Sequence, residues 1–219
     1  MLPFLLALAC SSPGPTPSNP VSPAGADAPR QAPDSPAAIA AFWTWFAANE
    51  VAYRDPAKLD EKGIGCVNDE TVKVHRGLLA EFTTDPDGTH VIVLSADGIR
   101  EVFPSVQATA AAAPAIPGWR VQAFRPPVTE TDWSLQIDGK QLALKDFRAR
   151  WAPGSPPVNV DVWVPLPADS GEQVIAQVGF LALDAVLGEY AVETQVGAIT
   201  WHGGEAPAEA RPLGELRGS

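Results

Sequence analysis

The chain has 219 residues, of which 46% are apolar, and 15 Lys and Arg stand against 26 Asp and Glu for a formal net charge of −11. An acidic balance disfavours nucleic acid, whose phosphates call for a basic surface, and no apolar run reaches the roughly 20 residues of a membrane-spanning helix. No collagen-like pattern and no internal repeat at a fixed period is present.

The first nine residues, MLPFLLALA, are almost wholly apolar and end in Ala7-Leu8-Ala9, the small-x-small pattern of a cleaved export signal, directly before Cys10. Pro3 and the abrupt change to Ser, Pro and Gly after Cys10 argue against the start of a buried helix. The run into Cys10-Ser11-Ser12 also resembles the lipobox of bacterial lipoproteins, in which the cysteine is lipidated and becomes the mature N-terminus. It departs from that pattern in having Ala7 where Leu is usual and no Lys or Arg before the apolar run. Residues 10–36 are rich in Pro, Ser and Ala, with 8 Pro between Ser11 and Pro36. They hold too little apolar surface to offset ordering entropy, and read as an extended tether. If Cys10 carries lipid, Cys66 reads as a small buried side chain; export without lipidation leaves a Cys10–Cys66 disulfide open.

Ser35-Pro36 opens a helix predicted over 36–51, with Ile39, Phe42, Trp43 and Phe46 at helical spacing. Residues 77–84 and 90–95 read as strands around the turn Asp85-Pro86-Asp87-Gly88. Asp97 reads as the N-cap of a second helix through Ile99, Val102, Phe103 and Val106 to Pro114. Strands are then predicted over 119–124, 133–137, 141–144, 147–151 and 158–164, the last alternating Val158, Val160, Val162 and Val164 with Asn159, Asp161 and Trp163. A third helix is expected over 171–187, with Val174, Val178, Leu181 and Ala185 on its inner face and Gly188 as C-cap. A long strand over 190–201 closes the set. The whole predicts one α+β domain over 37–203, a mostly antiparallel sheet with about three helices packed mainly on one face, and a flexible tail over 204–219.

Chemistry is sparsely marked. His75, His90 and His202 lack metal-ligand spacing, and the Asp85–Gly88 turn lacks the further ligands of a calcium loop. No G-x-S-x-G elbow occurs, and Gly63-Ile64-Gly65 lacks the third glycine and the Gly-Lys-Ser/Thr ending of a phosphate loop, so neither metal nor cofactor is expected. The aromatic run Phe42-Trp43-Thr44-Trp45-Phe46 covers more than one helix face. Core packing explains most of it, and the sharper alternative makes Trp43 and Trp45 a ligand platform with Asn49 and Glu50 as polar anchors. Arg125 and Glu189, each at the end of a predicted element, either form a structural pair or line a cleft.

The segments FWTWFAANE, VLSADGIREVFPSV, GWRVQAFRPP and LDAVLGEYAVETQVG resemble a group of uncharacterised bacterial proteins with FWxWF, SADGI, AFRP and LGEY blocks in this order. The likeness spans about residues 42–200; it implies one coherent domain and brings no catalytic roles. Between Asp55 and Gly77 this chain departs from it, with a Gly-containing segment where the group leads one to expect a helix.

These features point first to a non-enzymatic lipoprotein of the bacterial cell envelope, membrane-anchored at Cys10, on the periplasmic or outer face, whose acidic domain binds a protein partner or small ligand. The rivals are an envelope hydrolase built on carboxylates such as Glu50, Asp97 and Glu189, and an intracellular interaction domain whose N-terminus is misassigned.

Overall fold

The computed structural model describes residues 35–128, 133–137, 139–152, 154 and 156–218. The predicted signal, the tether up to residue 34 and Cys10 lie outside them. The described residues form a mixed α+β fold with two hydrophobic cores joined along one seam.

Helix α1 (Pro36–Asn49) begins with Pro at its first turn and buries Ile39, Phe42, Trp43 and Phe46, a stripe at spacings of three and four. Helix α2 (Glu61–Val74) is capped by Asp60, whose carboxylate accepts from Gly63 N at 2.8 Å. Strands β1 (Leu79–Thr84) and β2 (His90–Ser95) form the expected hairpin. A 3₁₀ turn over Arg100–Val102 leads into α3 (Phe103–Ala111), which crosses over to β3 (Trp119–Ala123), parallel to β2. Ile92 and Leu94 of β2 share one core with residues of α1, α2 and α3.

A separate hairpin, β4 (Ser134–Ile137) with β5 (Lys140–Ala143), precedes the second half. There β6 (Arg148–Trp151) pairs antiparallel with β7 (Val158–Val164), and helices α4 (Glu172–Leu187) and α5 (Glu189–Gln195) cross over to β8 (Val196–Gly203), parallel to β7. A short β9 (Arg211–Pro212) pairs with β6, giving the order β8-β7-β6-β9. Val160, Val162 and Val164 share the second core with α4. Both halves thus use one connection, an antiparallel pair followed by a helical crossover to a third, parallel strand.

Several expectations are corrected. Five α-helices stand among the described residues where about three were expected, and each main sheet contains a parallel pair. Helix α2 was hidden by Gly63 and Gly65; its buried positions Gly63, Cys66, Val67, Thr71 and Val74 nonetheless keep helical spacing. The long strand over 190–201 is helical up to Gln195, because Gly188 at φ +80° ends α4 and the chain re-enters a helix at once. Asp97 caps no helix: it sits at φ +50° in the turn after β2. On α4 the inner face carries Ile175, Val178, Gly179, Ala182, Leu183, Ala185 and Val186, so the expected Val178 and Ala185 are buried, while Val174 and Leu181 are 40% and 42% exposed. That helix is apolar nearly all round, so periodicity alone does not select its inner face. The tail is folded, with a 3₁₀ segment over Leu213–Gly218 that buries Leu213 and Leu216 in the second core. Its Arg217 donates to the carbonyls of Val186 (2.8 Å) and Val128 (2.6 Å).

Candidate functional site

The seam between the halves is organised by Glu189, whose side chain is fully buried. It occupies the first position of α5, where Gly188 turns the chain. A β-carbon at Gly188 would meet Pro127 Cδ at 2.9 Å and the Arg125 carbonyl at 3.0 Å, and φ is +80°, so both space and backbone require glycine there. Glu189 N donates to Arg125 O at 3.0 Å. Its carboxylate then reaches into the first half, to the C-terminal ends of the parallel strands β2 and β3. Oε1 accepts from Ala96 N (2.7 Å), Ser95 Oγ (3.1 Å) and Gly98 N (3.4 Å), and Oε2 accepts from Arg125 N (3.1 Å). The burial of this charge is offset by four donors aimed at its oxygens.

Two non-glycine residues with left-handed backbone flank the carboxylate, Asp97 at φ +50° and Phe124 at φ +64°. Such conformations persist where surroundings over-determine them. Here Phe124 packs against Phe103 and against Tyr190 of α5 at centroid distances of 4.5 and 5.1 Å. Three of the segments singled out in the sequence, SADGI, AFRP and LGEY, therefore converge at Glu189.

Fixing the backbone at Asp97 and Arg125 sets their side chains in an adjoining cleft of about 320 Å³. The Arg125 guanidinium pairs with Glu81 (Nε–Oε1 2.7 Å) and Asp97 (Nη2–Oδ1 3.0 Å), and lies 3.7 Å from Asp184 Oδ2. Burial works against its charge, but the hydrogen bonds of Glu81 and Asp97, with the charges of Glu81 and Glu189, outweigh burial and hold its pKa well above the ordinary value. Asp184, on α4, is pushed up to about 6 by burial, against the pull of Arg125 and with Glu189, Glu193 and Asp97 adding to the rise. Its Oδ1 is buried with no hydrogen-bond partner among the described residues. Val128, Trp133 and Leu181 supply apolar walls. A neighbouring hollow of about 360 Å³ over Val91 and Val93 shares Glu81, Arg125, Pro126 and Val128 with the cleft.

Of the residues expected to bind or line a cleft, Arg125 and Glu189 are brought together, joined through the Arg125 backbone rather than its guanidinium. The α1 group lies elsewhere. Trp43 is 3% exposed and spends its indole N–H on Thr109 O at 2.8 Å. Trp45 is half-buried against Phe42 and Tyr53, and Asn49 donates back to the Trp45 carbonyl. Glu50 is held by Arg54 and by Trp119 Nε1 at 2.7 Å; the Arg54 hydrogen bonds foremost, and that of Trp119 despite partial burial, keep its carboxyl below the usual range. Sequence reasoning missed Glu81 and Asp184. Asp184 had a signal, a lone acid inside the apolar run LALDAVL; Glu81 had none. Among the described residues no group of three or more His, Cys, Asp or Glu is placed to hold a metal ion. Cys66 is 3% exposed on α2. Comparison with protein-family models, curated proteins and solved structures gives no match.

Two measurements test this account. Gln in place of Glu189 must set an NH₂ group against backbone donors, so Glu189→Gln is expected to lower stability by about 3 kcal/mol in urea denaturation, and a change below about 0.5 kcal/mol would show that the carboxylate does not hold the seam. A carboxyl whose folded pKa lies above its unfolded one stabilises at low pH and loses that contribution as pH rises through the folded value. Between pH 4 and pH 7 the stability of wild type relative to Asp184→Asn should therefore fall by about 2–3 kcal/mol; a pH-independent difference would remove burial as the controlling term.

Proposed function

We propose that this chain is an exported lipoprotein of the bacterial cell envelope, tethered through Cys10, and that its acidic domain binds a small cationic ligand in the Arg125 cleft. The observation that carries the binding reading is the Asp184 carboxyl, buried in the wall of an open cleft with one oxygen unpartnered. Of the acids around the cleft, Glu81 and Asp97 each pair closely with Arg125 through one oxygen, whereas Asp184 lies 3.7 Å from it and has an oxygen with no hydrogen-bond partner among the described residues. An ammonium or amidinium would pair with the Asp184 carboxylate, and Val128, Trp133 and Leu181 suit an apolar body beside it. The hydrolase reading has less support: Glu189 is saturated by four donors and Glu50 lies on another face, leaving Asp97 as the one acid of that expected set in the cleft.

Binding of a cation next to Asp184 must favour its ionised form and release protons. With 2-phenylethylammonium as probe, calorimetry at pH 6 is expected to give a dissociation constant of roughly 0.1–1 mM with release of up to about half a proton per site, seen as a heat that differs between buffers of different ionisation enthalpy. Asp184→Asn should weaken binding and abolish the proton release. Absence of heat, or the same buffer-dependent heat in the variant, would overturn the assignment.

The envelope reading rests on the apolar start ending at Cys10 and the Pro-rich tether. Mass spectrometry of the mature protein from a bacterial host is expected to find a lipid-modified N-terminal Cys10 that is lost in Cys10→Ala. A peptide joining Cys10 to Cys66 would keep export and overturn the anchor; an intact Met1 would overturn both.

A further inference from the structure

The second sheet has an open face opposite α4, and its register sorts that face into two rows. In one row Arg150, Asp161 and Thr200 stand side by side on β6, β7 and β8. This row is self-compensated: Arg150 pairs with Asp161 at 2.9 Å and with Glu209 at 3.3 Å. In the next row stand Arg148, Trp163 and His202, and that row contains no acid. His202 stacks on the Trp163 ring, with centroids 4.5 Å apart, and its Nε2 lies 3.6 Å from Asp161 Oδ1, toward the compensated row. Arg148 is left. It forms no ion pair among the described residues.

Arg148 is nevertheless held in place. Its Nη1 donates to the carbonyls of Lys145 (2.5 Å) and Phe147 (3.1 Å), which fixes the guanidinium; its Nε and Nη2 make no hydrogen bond among the described residues. It lines a crevice of about 230 Å³ at the C-terminal ends of the parallel strands β7 and β8, with Trp163, Pro165, Gly204 and Ala206 as apolar or backbone walls. Crevices at the carboxyl ends of parallel strands are common ligand sites. The one acid in the lining, Asp146, turns Oδ2 to the Ala143 N–H at 3.2 Å. Lys140 stands nearby, its Nζ on the Pro165 carbonyl at 2.8 Å.

We propose that this crevice is a second ligand site, distinct from the Arg125 cleft and opposite to it in charge preference, that takes a small carboxylate with a short apolar body. The Arg148 guanidinium receives the carboxylate in charge-assisted hydrogen bonds of the kind Arg125 makes to Glu81 Oε1. The apolar body lies against Trp163, Pro165 and Ala206. The volume is below the roughly 300 Å³ at which drug-sized ligands are usually held, which limits the ligand to a few heavy atoms beyond the carboxylate. Such a group comes either from a free short-chain acid or from the C-terminus of a peptide.

The test is an NMR titration of the isotopically labelled full chain with butyrate and, separately, with N-acetyl-Ala-Ala. Saturable shifts at the Trp163 indole and the Gly204 amide are expected with at least one probe, and the probe that binds more tightly identifies the source. Arg148→Gln should weaken binding about tenfold or more, while Arg100→Gln, which removes a cation paired with Glu193 away from the crevice, leaves it within about twofold. Ala206→Leu, which fills the crevice without altering charge, is the second variant and should also abolish the shifts. No saturable shift with either probe up to about 50 mM, or wild-type affinity in Arg148→Gln or in Ala206→Leu, would overturn the proposal.

Discussion

A single buried carboxylate governs how the two halves of this protein meet. Glu189 carries a charge with no exposed surface, and a buried charge is tolerated only where donors replace its water. The donors come from Ser95, Ala96, Gly98 and Arg125, all in the other half of the chain. Separating or sliding the halves would strip the carboxylate of those bonds while leaving it in a poorly hydrated seam, a penalty of several kcal/mol on general grounds. The apolar contacts of Phe103, Phe124 and Tyr190 beside it add area but little direction. Glu189 supplies the direction and therefore the register of one half on the other.

The shared connection of the two halves explains why such a plug is needed. A crossover from one strand to a parallel neighbour leaves the carboxyl ends of both strands open, with backbone N–H groups lacking partners. In the first half those groups at Ala96, Gly98 and Arg125 are met by a side chain from the crossover of the second half. At the matching ends of β7 and β8 the chain instead folds back, Gly204 N donating to Leu166 O. A crevice beside Arg148 remains there. Similar topology has thus been completed in two ways, one closed by a carboxylate of the same chain and one left open.

Local pattern made much of the framework legible before the structure. Strand β7 and the α1 stripe were readable because alternation and helical spacing are properties of neighbouring residues, and β2 because a β-rich run follows the Asp85–Gly88 turn. Helix α5 was not, since the GEY that opens it owes its conformation to Arg125 and Pro127, more than sixty residues earlier, packing against Gly188. Nor was the folded tail, whose Leu213 and Leu216 look isolated among Gly, Pro and charge and find their neighbours in a distant core. The same limit applied to the site. Arg125 and Glu189 stood out by position at element ends, yet the bond that joins them runs through a backbone N–H, which no side-chain pattern encodes. Asp184 stood out only as a polar interruption, and its cleft exists because α4 turns Leu181 and Asp184, rather than Ile175 and Val178, toward the first half.

Rigid support also separates the Arg125 cleft from an ordinary surface cluster of charges. Long paired side chains at a surface contribute little because they must be ordered to meet. Here the ordering is done by the seam itself. Asp97 is fixed on both sides, its own N–H donating to Ser95 Oγ and the next N–H, of Gly98, to Glu189. Arg125 is fixed through both its N–H and its carbonyl, to the Glu189 side chain and backbone respectively. The side chains that shape the cleft thus leave a backbone that cannot shift without breaking the buried carboxylate's bonds. A ligand entering beside Asp184 meets walls already held in place, so that little of its binding energy is lost in organising the site.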